Sequence, residues 1–109
     1  MVELEDLNDA VIRGFVEAIN AGDRDGFFAL LSDGATMSDD GSERNLQEWV
    51  DREMFSAEGR LDVESQSDDG RSLIINASNS TYGAMRTFWR FTVESDKVAR
   101  FETGQAPKS

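Results

Sequence analysis

The spacing of apolar residues changes once along the chain, and that change limits the folds open to it. Up to Gly59 apolar residues recur every three or four positions; beyond it they alternate with polar ones. The first spacing stacks side chains on one face of a helix, and the second puts them on one face of a strand. Helices first and strands second predict an α+β domain, with the helices packed on one face of a curved antiparallel sheet. The 109 residues contain neither a repeat nor a linker, so residues 1–109 read as a single domain with a frayed tail from about 104. A core of this size is shallow, which favours pairing with a second copy.

Leu4, Leu7, Val11, Phe15 and Ala18 form the stripe of a first helix, widened by Ile12, Val16 and Ile19. Gly14 in its middle costs about 1 kcal/mol relative to alanine, which marks a close packing contact. Gly22 is placed to end this helix in a left-handed cap, and Asp23 to cap the start of a second. Phe27, Phe28, Leu30 and Leu31 would supply the second helix's buried face, with Gly34 closing it. "ATMS", 35–38, suits a first strand and "DDGSER" a polar turn. Leu46, Trp49, Val50 and Met54 share one side of a third helix. Strands are then predicted over 60–67, 71–82, 84–95 and 96–103, with Asp69-Gly70 as a hairpin signal. In the third of these, Met85, Thr87, Trp89, Phe91 and Val93 share one face, and Ala84, Arg86, Phe88, Arg90 and Thr92 the other.

Charge and composition exclude several functions. There are 22 acidic residues against 11 basic ones, a net charge of −11. Such a surface repels phosphate backbones and anionic bilayers, so neither nucleic acid nor membrane is an expected partner. Without cysteine there is no thiol nucleophile or thiolate metal site, and without histidine the commonest general base is missing. No apolar run approaches the roughly 20 residues that span a bilayer. The acidic start "MVELEDLNDA" is the opposite of a signal peptide's basic one, so the expected location is the cytoplasm. No cofactor or metal is expected. "DRDG" looks like half a calcium loop, but Ala21 and Ser32 stand where that loop needs acids.

"FVEAINAGDRDGFFALLSDGATMSDD", the strand carrying "FWRF" and the closing "DKVARFE" together resemble the nuclear transport factor 2-like superfamily, over roughly residues 8–105. That superfamily includes ketosteroid isomerases and SnoaL-like polyketide cyclases. The resemblance implies a cystatin-like cone, in which a bent sheet wraps a pocket closed by helices, commonly paired into a homodimer through the outer sheet face. The same fold hosts isomerases, cyclases, dehydratases, hydrolases and non-catalytic binding domains. Ketosteroid isomerases keep an aspartate base just after the first strand, and the matching residue here is Asp39. Their two donors to the developing enolate match Phe15, which cannot donate, and Thr87, a weak neutral donor. The base position is kept while both donors are replaced.

The candidate site residues each carry two readings. Asp39 is either a general base or, with Asp40 and Gly41, a solvated turn. Asn76, Ser78, Ser80 and Tyr82 alternate along one strand, either as a polar pocket lining with Tyr82 as donor or acid, or as an outer face. Phe15, Met37, Trp49 and Trp89 are pocket walls or core. Arg86 and Arg90 either clamp an anion or pair outside with Glu64, Glu94 or Glu102. The preferred reading is a small-molecule-binding or accessory domain for a small, partly apolar ligand. One alternative is an isomerase or cyclase using Asp39 on a carbonyl substrate, with Tyr82 or Thr87 polarising it. Another is a structural dimer whose cavity is filled by Trp49, Trp89 and Phe15.

Overall fold

In a computed structural model, which describes residues 2–81 and 83–106, the helical half forms α1 (Ala10–Ala21), α2 (Arg24–Ala29) and α3 (Leu46–Val50). The strands are β1 (Leu31–Asp39), β2 (Ser42–Arg44), β3 (Arg60–Gln66), β4 (Ser72–Asn79), β5 (Gly83–Glu94) and β6 (Lys97–Gln105). They make one curved six-stranded sheet in the order β2-β1-β6-β5-β4-β3. β3 to β6 form an antiparallel meander, while β1 joins β6 in parallel. The helices pack against this sheet, α1 touching β3 and β6, and α2 and α3 touching β1. Among the described residues no helix is long and apolar enough to cross a membrane.

α1 starts later than its apolar stripe suggests. The Asp9 carboxylate accepts hydrogen bonds from the N–H groups of Val11 and Ile12, which fixes the first turn at Ala10. Leu4–Asp6 forms a separate 3-10 turn, and Leu7 is still buried against the core. Gly22 ends the helix at a φ of 69°. Just before it, Asn20 locks helix to sheet: its carboxamide donates to Leu61 O at 2.9 Å and accepts from Leu61 N at 2.7 Å. The close contact expected at Gly14 is with Leu30, whose Cδ1 would lie 3.2 Å from an added Cβ. Asp23 caps α2 by accepting from Gly26 N–H.

α2 is shorter than its apolar residues suggest, and Gly34 does not cap it. Leu30 O accepts from Val98 N at 2.8 Å, so the chain has already turned toward β6 there. Gly34 lies inside β1 at a φ of 75°, in the stretch where the register against β6 shifts between Leu31 and Thr36. It serves a bulge rather than a helix end. α3 continues through one π-type turn, Asp51–Phe55. Gly59 N–H then donates to Met54 O at 2.5 Å, and a Cβ on Gly59 would lie 2.8 Å from Met54 Cα.

The concave side of the sheet holds an aromatic core. The Phe15 ring lies 4.8 Å from Phe27, 4.9 Å from Phe91, 5.3 Å from Phe101 and 5.9 Å from Trp89. Such pairs add about 0.5–1.5 kcal/mol each beyond the burial itself. β5 shows the predicted alternation: Thr87, Trp89 and Phe91 are buried, while Arg86, Arg90 and Thr92 are exposed. The arginines therefore belong to the outer face and do not form an inward anion clamp. Arg86 Nε donates to Glu64 at 2.7 Å, and the Arg90 guanidinium sits 5.0 Å over the Phe88 ring.

Candidate functional site

The aromatic core leaves a small cavity where the π-type turn after α3 meets the end of β4 and the start of β5. Its volume is about 110 Å³, and Trp49, Met54, Ala77, Met85 and Trp89 make its wall mostly apolar. Thr87, Thr103, Ser78, Asn79 and Glu53 are the polar residues lining it. The sheet positions them: Thr87 and Trp89 alternate inward from β5, Ala77 on β4 pairs with Met85, and Thr103 pairs with Trp89 from β6. Two further bonds tie the turn to β4, since Asn79 Nδ2 donates to Glu53 O at 3.2 Å and Ser80 N to Ala57 O at 2.7 Å.

The polar hydrogens of the cavity's deepest groups are committed inside the protein. Thr87 Oγ1 donates to Ile75 O at 2.9 Å and accepts from Trp89 Nε1 at 2.9 Å. Thr103 Oγ1 donates to Phe88 O at 2.9 Å. Trp49 Nε1 donates to Asp39 Oδ2 at 3.1 Å. What these side chains present to a ligand is therefore methyl groups and indole carbon. An enolate needs preorganised donors aimed at its oxygen, and none of these four groups has a proton to spare.

Asp39 is half-buried and does not line the cavity; the Trp49 indole links the two. Its neighbour Asp40 closes the end of the sheet. Asp40 N donates to Thr103 O at 2.9 Å, and its carboxylate accepts from Gln105 N at 2.9 Å. Asp40 and Gly41, with φ of 50° and 82°, form the tight turn between β1 and β2. A Cβ on Gly104 would collide with both the Asp40 carboxylate and the Phe88 ring.

Of the predicted pocket residues, Trp49, Ser78, Thr87 and Trp89 come together at the cavity. Phe15 and Met37 are fully buried core residues away from it. Asn76 lies on the exposed face of β4, across from Arg86 and Asp62, because Leu73, Ile75 and Ala77 are the residues that turn inward. The polar alternation of that strand is its outer face; Ser78 reaches the cavity only at the strand's end. Tyr82 lies outside the described residues. Sequence reasoning missed Glu53, Met54 and Asn79 as lining residues. Met54 was visible as a helical apolar position, but the π-type turn that carries Glu53 alongside it has no such signature.

No family model and no curated protein matches this chain. Solved structures do. A candidate polyketide cyclase from Sinorhizobium meliloti is 19% identical, with a TM-score of 0.76 over 94% of this chain and 99% of that one. A nuclear transport factor 2-like protein of unknown function from Cytophaga hutchinsonii is 13% identical, with a TM-score of 0.72 over 94% and 89%. Δ5-3-ketosteroid isomerase from a Mycobacterium species is 16% identical, with a TM-score of 0.69 over 86% and 88%. At these identities the likeness establishes the fold: the chain has the nuclear transport factor 2-like, cystatin-type α+β architecture.

Proposed function

We propose that this chain is a small-molecule-binding or accessory domain whose cavity takes the apolar end of a small ligand. One observation carries the reading: the hydroxyl and indole N–H donors of Thr87, Thr103, Trp49 and Trp89 are spent on internal acceptors, so recognition in the depth of the cavity rests on apolar contact. The cavity is also small. At about 110 Å³ it falls below the roughly 300–1,000 Å³ of drug-sized sites, and below the roughly 150 Å³ of an apolar cavity that holds benzene. A ligand would insert a ring edge or a short alkyl chain and leave the remainder at the mouth, beside the half-exposed Met85.

The competing reading is an isomerase or cyclase of the kind named for two of the similar structures, with Asp39 as base. The test is turnover of a β,γ-unsaturated ketone alongside ligand titration followed by the fluorescence of Trp49 and Trp89. Binding of small apolar probes without turnover is the expected outcome. Turnover that Asp39→Asn abolishes would establish the enzyme instead.

We also propose that two copies pair through the outer sheet face. In support, Ile74 and Phe88 face each other there across β4 and β5, both half-buried. Phe88→Glu should convert a dimer to a monomer in sedimentation velocity; a wild-type monomer at high micromolar concentration would exclude this pairing.

A further inference from the structure

The cavity contains one charge that its apolar wall does not explain. Glu53 lines it with a side chain only 15% exposed, and the nearest cation, Arg52 Nε, is 3.5 Å away on a side chain that is 63% exposed. None of the described residues donates a hydrogen bond to the Glu53 carboxylate; the bond from Asn79 goes to its backbone oxygen. The Glu53 carboxylate is not sealed from water, since Arg13 Nε is the one buried side-chain polar atom without a partner among the described residues, yet none of them gives it a donor. Here it has an open cavity and two indole rings whose N–H groups are turned to other acceptors.

Resting on the binding function proposed above, we propose that the ligand is a small organic ammonium ion: an apolar ring or chain in the cavity, with its cationic head on Glu53. The donor the carboxylate lacks would come from the ligand, and indole carbon is a favourable neighbour for a cation. Three features fit this assignment. The backbone at Glu53 is held by Asn79, so the side chain starts from a fixed point at the cavity wall. The net charge of −11 concentrates cations around the protein and disfavours anionic ligands. Arg52, the cation paired with Glu53 among the described residues, is not one of the cavity-lining residues.

Three probes of like shape and different charge separate the possibilities at pH 7: benzylammonium, benzyl alcohol and benzoate. Each is titrated against the wild type, Glu53→Gln and the control Glu17→Gln, an exposed change of equal charge, by tryptophan fluorescence and calorimetry. Benzylammonium should bind at least tenfold more tightly than benzyl alcohol to the wild type and to Glu17→Gln, with benzoate weakest. In Glu53→Gln that ratio should fall to about one, chiefly through loss of benzylammonium affinity. Equal binding of the cation and the alcohol by the wild type would overturn the ammonium assignment and leave the binding function standing. A cation preference that survives Glu53→Gln would assign it to the overall charge and overturn the role of Glu53. Failure of all three probes to bind would overturn the binding function itself.

Discussion

The Asp39–Trp49 pair is where a catalytic and a structural reading of one carboxylate can be told apart. A hydrogen bond to a charged acceptor contributes about 1.5–3 kcal/mol when well formed, and partial exposure of Asp39 reduces that toward the lower end. Trp49→Phe removes the donor and also thins the cavity wall. Asp39→Asn keeps an oxygen acceptor but removes the charge. If the pair is a structural link between β1 and α3, the two changes share one interaction and their costs are not additive. The expected coupling in a double-mutant cycle, read by urea unfolding, is about 1 kcal/mol. Additive losses would show that Asp39 does not depend on Trp49, and would return its carboxylate to candidacy as a free base. Thr87 offers no such ambiguity, since its hydroxyl both donates and accepts within the buried core.

Among the helices and strands, what the sequence made legible was whatever follows from local period and local punctuation. The alternation of β5 was readable because Thr87, Trp89 and Phe91 contrast with Arg86, Arg90 and Thr92. Gly22 and Asp23 were readable because each acts on its own helix end. Gly34 was misassigned because two physical demands produce the same residue: a left-handed cap and a left-handed bulge both select glycine. Only the parallel pairing of β1 with β6, a partner more than 60 residues away in sequence, decides between them. The inward face of β4 stays open in the sequence for a related reason. Asn76 and Ser78 form a regular polar row, and the weaker apolar row of Leu73, Ile75 and Ala77 is the one that turns inward. Glu53 was invisible because a π-type turn shifts the helical phase without a glycine or proline to announce it. The site was thus less legible than the fold, because Glu53, Ser78 and Asn79 come from one irregular turn and one strand end, while Thr87 and Thr103 reach it from within β5 and β6.

The charge of the chain acts on the molecule as a unit. Even with every base paired, an excess of −11 remains, spread over a body whose radius of gyration is 12.6 Å. The ion pairs among the described residues are largely exposed, as in Arg24–Asp51 and Arg86–Glu64, and such pairs contribute little. Self-repulsion of the surplus acids is therefore the larger electrostatic effect near neutral pH, and it opposes folding. At 0.1 M salt the Debye length is about 10 Å, shorter than the molecule is wide, so added salt should relieve that repulsion more than it weakens the pairs. Melting temperature at pH 7 is expected to rise between 10 mM and 500 mM sodium chloride, with most of the gain below about 200 mM. The measurement belongs above pH 5. Arg24 holds Asp51 below its ordinary value of 3.8, and Arg100 holds Glu43 below 4.5, in each case chiefly through the hydrogen bond. A carboxylate lowered on folding stabilises the native state above its ordinary value and loses that contribution as pH falls through the lowered one. Below about pH 4 this loss would be superimposed on the salt response. A melting temperature that falls with salt at pH 7 would mean that the ion pairs outweigh the repulsion. One that is flat through molar salt would mean that the two effects balance.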